Sequence, residues 1–358
     1  MTVYYVSILL VILTSGLAQA ADRRSNSGPG EKRKSKAAVF LLFLTSAILS
    51  VVAGLRYEVG TDFGAYFHAD EIFGGHAWES LKTLNEPIIA IFTDLISLIT
   101  DVEGAYTFFF SLFTIGLSTY VLFRDTEDYV FAILLFIFTG CWHGTFNGVR
   151  QYMAATFVLL GYRYIYEKKM LKYFFFIFLA YCTHVSAIIM VIPYFFLRNR
   201  ITFINILILV LGTAVVSYNY ETIFSFIGML KEEEIVMNTY ATNSVNILRI
   251  LVNCAPAVLA LVLCIHNGGA SDEQAFFINI LFFNAAAMVA ASNSAYLARI
   301  GIYTGILVPI AMEKLIRFKN SMTTFIVRSV IIVLFAIFWY VDVSTPPALN
   351  EFKWVWER

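Results

Sequence analysis

Charge is scarce in this chain. Of 358 residues only 14% are charged, and the 25 basic and 25 acidic side chains cancel, so no broad field draws it to nucleic acid or to an acidic partner. Cysteine is scarcer still. Cys141, Cys182, Cys254 and Cys264 stand singly in apolar blocks without Cys-x-x-Cys spacing, which argues against a disulfide frame or a zinc ribbon. There is no Asp-x-Asp pair, no His-Glu-x-x-His sequence, no Walker loop and no dinucleotide fingerprint. The expectation is therefore a chain that uses no metal and no cofactor, in which the driving energy of any reaction comes from the substrate.

What is abundant is hydrocarbon. Hydrophobic residues make up 59% of the sequence, and they come in long blocks instead of a strand or amphipathic-helix period. This pattern predicts an all-α, polytopic transmembrane protein of about 10–12 membrane segments, forming a single integral membrane domain over residues 1–358.

The basic clusters orient it. Leu17-Ala18-Gln19-Ala20 imitates a leader-cleavage site, but Arg23, Arg24, Lys32, Arg33, Lys34 and Lys36 follow the first apolar run, which predicts an uncleaved first span with its N-terminus outside. A second span over 37–55 then runs outward. External loops are expected at 56–86 and 219–246, the latter carrying a solvated acidic run, Lys231-Glu232-Glu233-Glu234. Residues 88–100 are short for a span of ~20 residues and are expected to dip in and return. Between Glu167-Lys168-Lys169 and Arg198-Asn199-Arg200, the same rule allows two half-length helices meeting at Thr183-His184-Val185-Ser186, or one long tilted helix.

On this layout Arg56, Arg150, Arg249 and Arg299 all fall at the outer ends of spans, against the positive-inside rule. Four such exceptions on one face suggest a shared anion. A guanidinium fork holds phosphate oxygens bidentately, and a pyrophosphate on a lipid carrier is an anion met at that depth; a salt bridge or a snorkelling stem is the plainer reading of each arginine taken alone. Candidates for a base are His184, set deep in an apolar segment, and the loop carboxylates Asp62 and Glu86. Tyr66, Asn147, Gln151 and Tyr303 lie in the same polar islands and are candidate substrate contacts.

The run Arg56-Tyr57-Glu58-Val59-Gly60-Thr61-Asp62 with Tyr66, then Glu86-Pro87, Arg150-Gln151 with Ala154, His184-x-Ser186-Ala187 and Arg299-Ile300-x-x-Tyr303 resembles the EpsG-like family of polysaccharide polymerases, relatives of Wzy. The match extends over roughly residues 37–316, and its specificity lies in the order and spacing of short elements. The resemblance implies a GT-C type glycosyltransferase in a bacterial cytoplasmic membrane, acting on its outer side. Its donor and acceptor would be undecaprenyl-pyrophosphate-linked glycans, and other polysaccharide-assembly proteins would be its partners. A flippase or exporter of lipid-linked glycans is the alternative, because it too would need arginines for pyrophosphate.

Overall fold

The structure, a computed structural model, describes residues 1–25, 34–199, 202–219, 222, 244–294 and 297–357. Helix α1 (Thr2–Ser25) and α2 (Lys36–Gly54) form an antiparallel pair, joined midway by the hydroxyls of Thr14 and Thr45 at 2.7 Å. Three short helices follow, α3 (Phe63–Phe67), α4 (Ala69–Phe73) and α5 (Ala77–Thr83), then α6 (Pro87–Ser97) and the long α7 (Ala105–Asp125). Ser46 and Thr119 tie α2 to α7 at 2.7 Å. Helix α8 (Tyr129–Phe138) is apolar all round and buried at every position but Val130, as expected of a strut at the centre of a bundle.

The chain continues through α9 (Cys141–Gly144), α10 (Val149–Gly161), α11 (Arg163–Tyr166), α12 (Met170–Thr183), α13 (Val191–Phe196), α14 (Phe203–Tyr218), α15 (Ile247–His266), α16 (Asp272–Ala290), α17 (Gly301–Gly305), α18 (Val308–Leu315) and α19 (Ser321–Ser344). Among the described residues, six helices are long and apolar enough to cross a membrane: α1, α2, α7, α15, α16 and α19. Shorter apolar helices accompany them. The protein is an all-α, polytopic membrane protein. Most of the 219–246 loop, including the acidic run at 231–234, lies outside the described residues.

Two segments are half-length for a physical reason. Helix α12 stops at Thr183 because His184 is extended (φ −153°, ψ 123°), and a 3-10 turn over Val185–Met190 leads into α13. The Tyr173 hydroxyl donates to the Met190 carbonyl at 2.5 Å, and the Tyr173 ring stacks on Tyr194 at 5.5 Å. The start of α12 and the middle of α13 are therefore side by side, and the chain doubles back at His184 instead of running on as one tilted helix. Helix α6, with 11 residues, spans about 16 Å at 1.5 Å per residue, half of a ~30 Å hydrocarbon core.

The two ends of the bundle are closed differently. At one end the Met1 amino group donates to the Asn350 carbonyl at 3.0 Å, the Tyr4 hydroxyl donates to Leu349 at 2.9 Å, and Arg56 forms an isolated antiparallel bridge with Trp354. At the opposite end, charges pair in a dense cluster. Asp22 accepts from the Tyr129 hydroxyl at 2.6 Å, Arg328 meets Asp128 at 2.5 Å, and fully buried Glu313 accepts from Arg317 at 2.6 Å.

Candidate functional site

The first wall of the site is the loop that follows α2. Arg56 is only 1% exposed, and its guanidinium is committed to the protein. Nε donates to Val59 O at 2.9 Å, Nη2 to Phe146 O at 3.2 Å, and Nη1 to Ala53 O, while the cation lies 4.8 Å from the centre of the Phe146 ring. Residues 353–355 clasp the loop from the other side, with Tyr57 N–H donating to Lys353 O and Val355 N–H to Leu55 O, both at 2.9 Å. Gly60 has φ +96°, and a Cβ there would sit 2.6 Å from Phe146 O; only glycine allows this approach. Beside it Asn147 Oδ1 accepts from Thr61 N–H at 2.8 Å.

This clamp presents Asp62. An aspartate preceding a helix ordinarily spends its carboxylate on the first-turn N–H groups, but Asp62 makes no such cap and accepts from the Thr61 hydroxyl at 3.2 Å. One turn later on α3, Tyr66 projects from the same face.

The second wall is the junction of α5 and α6. Glu86 is held at φ +51°, although the residue before a proline favours extended backbone. Such a conformation costs about 1–3 kcal/mol and collects at functional sites. The start of α10 supplies Arg150 and Gln151, the break after α12 supplies His184, and a 3-10 turn at Leu297–Ile300 supplies Arg299. Asp62, Tyr66, Glu86, Arg150, Gln151, His184 and Arg299 together line one cavity of about 610 Å³.

Within it Arg150 is the hub. Nε donates to the Tyr66 hydroxyl at 3.0 Å, Nη1 donates to Glu86 Oε2 at 2.5 Å, and the guanidinium lies 5.5 Å from the centre of the Phe73 ring. The other Glu86 oxygen faces His184 Nδ1 at 3.7 Å. Nδ1 accepts from the Ser186 backbone N–H at 3.3 Å, and Ser186 Oγ, 3.0 Å from Nδ1, continues to the Tyr303 hydroxyl at 2.8 Å. A neutral imidazole that accepts at Nδ1 carries its proton on Nε2. The Gln151 amide, whose nitrogen is placed 3.2 Å from Nε2, is then best assigned with its oxygen there.

Burial raises the Asp62 carboxyl above its ordinary range, against the pull of Arg299, the Thr61 hydrogen bond, Arg150 and Arg56. Burial likewise raises the Tyr66 phenol, against Arg150. Among the described residues, no three His, Cys, Asp or Glu side chains converge as metal ligands would.

The profile of the EpsG family matches residues 39–355. The chain belongs to the EpsG family. Every EpsG residue lining the cavity falls inside that span, and membership in this family of Wzy-like polysaccharide polymerases gives the chain a polymerase-type, glycosyltransferase-like role. No curated protein and no solved structure matches it.

Four of the residues singled out in the sequence sit elsewhere in this EpsG protein. Arg56 is a strut under the loop, and Asn147 is the clamp on Thr61. Arg249 does not line the cavity and pairs with Asp342 across to α19. Tyr303 is fully buried and is linked to His184 through Ser186. Conversely, Phe73, His76, Ser80 and Asn85 line the cavity without having stood out. Of these only Asn85, adjoining Glu86-Pro87, carried a visible turn signal.

Proposed function

We propose that this cavity is the active site of an extracytoplasmic polymerase that joins oligosaccharide repeat units carried on undecaprenyl pyrophosphate. The observation that carries the reading is the convergence of two arginines, two carboxylates and an imidazole from five separate segments on one cavity. Arg150 and Arg299 receive the donor's pyrophosphate. An acceptor sugar hydroxyl attacks the donor's anomeric carbon, the new C–O bond forms as the bond to the phosphate oxygen breaks, and the configuration inverts. Asp62 takes the hydroxyl proton, while the arginines stabilise the charge that grows on the departing pyrophosphate.

Asp62 suits the base because burial raises its proton affinity and its oxygens are not spent on a helix cap. The two oxygens of Glu86 already face Arg150 and His184, so Glu86 accepts from the arginine and aligns it, and neither Glu86 nor His184 carries the proton. The reaction needs no metal in this scheme and is of the GT-C type. The donor, its lipid and the acceptor all reach the site from the outer leaflet of a bacterial cytoplasmic membrane, an orientation drawn from the positive-inside rule.

The test uses the purified full chain in proteoliposomes, supplied with lipid-pyrophosphate-linked repeat units. A ladder of lengthened products with release of undecaprenyl pyrophosphate is expected. Folded protein that moves the units across the bilayer without lengthening them would sink the proposal in favour of a flippase.

A further inference from the structure

Helix α3 borders a second groove. While Asp62 and Tyr66 line the cavity, Phe63, Gly64 and Phe67 open onto a shallower groove of about 340 Å³, completed by Tyr57, Glu58 and His68. That volume lies within the ~300–1,000 Å³ usual for ligand sites. Its floor is aromatic: the half-buried Tyr57 ring is the accessible one, and it is backed edge-on by the buried rings of Phe63 at 5.6 Å and Phe67 at 5.8 Å, which lie 5.0 Å apart. Its rim is polar. Glu58 is exposed, with its backbone at φ +53°, a conformation a non-glycine residue adopts only when its surroundings impose it. Its carboxylate lies 3.7 Å from the exposed Lys353 amine, and His68 is also exposed.

Gly64 marks the groove as open. A Cβ at this position meets no atom within 4 Å, and its φ is not in the left-handed region. A side chain there would therefore fill the groove without straining the backbone.

The chemistry selects the occupant. Rings below and hydrogen-bonding groups at the edge suit a pyranose, whose C–H face lies on the aromatic surface while its hydroxyls reach a carboxylate and an imidazole. A polyprenyl chain would gain nothing from Glu58 or His68, and a phosphate would have to compete with the Glu58 carboxylate for the Lys353 amine. Since Asp62 directly precedes Phe63, a saccharide crossing α3 at exposed Gly64 would run from the groove into the cavity.

We propose that this groove is a second glycan subsite, holding sugars of the acceptor chain beyond the one that reacts. The assignment rests on the polymerase reading of the cavity. Its test is saturation-transfer NMR on the full chain in detergent, with the oligosaccharide released by mild acid from the lipid-linked repeat units as the probe. Wild-type protein and Gly64→Ala are expected to bind it alike, whereas Gly64→Trp binds about tenfold more weakly or worse and makes shorter polymer. Unchanged binding by folded Gly64→Trp overturns the proposal. Should the tryptophan variant fail to fold, Glu58→Gln carries the same test at an exposed position, with weaker binding expected and wild-type binding overturning it. The two readings fail separately. Gly64→Trp protein that binds and elongates normally removes the groove alone, and wild-type protein that binds the oligosaccharide but never lengthens lipid-linked units removes the polymerase.

Discussion

Replacing Arg150 by lysine tests the site at its hub. The planar fork donates from Nε to Tyr66 at 3.0 Å and from Nη1 to Glu86 at 2.5 Å, and it still has N–H groups to offer an anion. An ammonium on a single stem keeps the charge but cannot serve Tyr66, Glu86 and a pyrophosphate in one geometry. At least one charge-assisted hydrogen bond is forfeited, about 1.5–3 kcal/mol. At 1.36 kcal/mol per decade this is roughly 10- to 150-fold in kcat/KM. The arginine side chain is 36% exposed, so water compensates part of the loss, and the lower half of that range, roughly 10- to 40-fold, is expected. The assay is the initial rate at which lipid-linked units are lengthened, normalised to protein that melts as wild type does. Alanine should cost more, because Glu86 then loses its counter-charge as well. A folded lysine variant within about twofold of wild type would refute the fork argument, and a folded alanine variant at the wild-type rate would remove Arg150 from the anion site.

Asp62→Asn should abolish elongation while leaving the fold as stable as wild type or more so, as read by thermal melts, because it removes a carboxylate that burial disfavours. The sign follows from the raised folded pKa. The contribution of Asp62 to stability is fully present below the unfolded carboxyl value of ~3.9 and is lost as pH rises through the folded value; this pH dependence should vanish in the asparagine variant, and the acid limb of the wild-type kcat/KM profile should lie above the ordinary carboxylate range. Gly60→Ala, with its Cβ driven to 2.6 Å from Phe146 O at φ +96°, should cost about 1–3 kcal/mol and depress activity per folded molecule, since Asp62 is two residues away. Glu313→Gln should act in the opposite way. It removes a fully buried counter-charge from Arg317 at 2.6 Å and Arg328 at 3.6 Å, costing about 3 kcal/mol in a denaturant titration, but it should leave the specific activity of the folded protein unchanged because it lies at the end opposite the cavity.

The fold class was legible in the sequence because hydrocarbon blocks and their basic ends are local signals. The turn-back at His184 was legible as one of two options, since a segment whose two basic ends both lie on the cytoplasmic side cannot be a single simple crossing, whereas one long tilted helix would put them on opposite sides. The arginines mark the limit. The charge rule gives the depth of a side chain but not the direction in which it points. It placed Arg150 and Arg299 at a level where the structure does bring them together, and it placed Arg56 at the same level, where backbone carbonyls of residues 53, 59 and 146 surround it. Arg249 looked available to an anion because its partner, Asp342, lies far away in sequence. The path from His184 through Ser186 to Tyr303 was hidden for the same reason: its members were readable as motifs, but their contact is a product of packing.

The clasp between residues 55–57 and residues 353–355 has a consequence for biosynthesis. The loop that carries Asp62 emerges early, yet the backbone that pairs with it is translated only after α19. Until then Tyr57 N–H and Leu55 O have no partner from the tail, and nascent chains would insert with the loop before Asp62 unlatched. In this order of assembly the loop that carries Asp62 is held from both sides only once the last long helix has been made, as a late step of maturation.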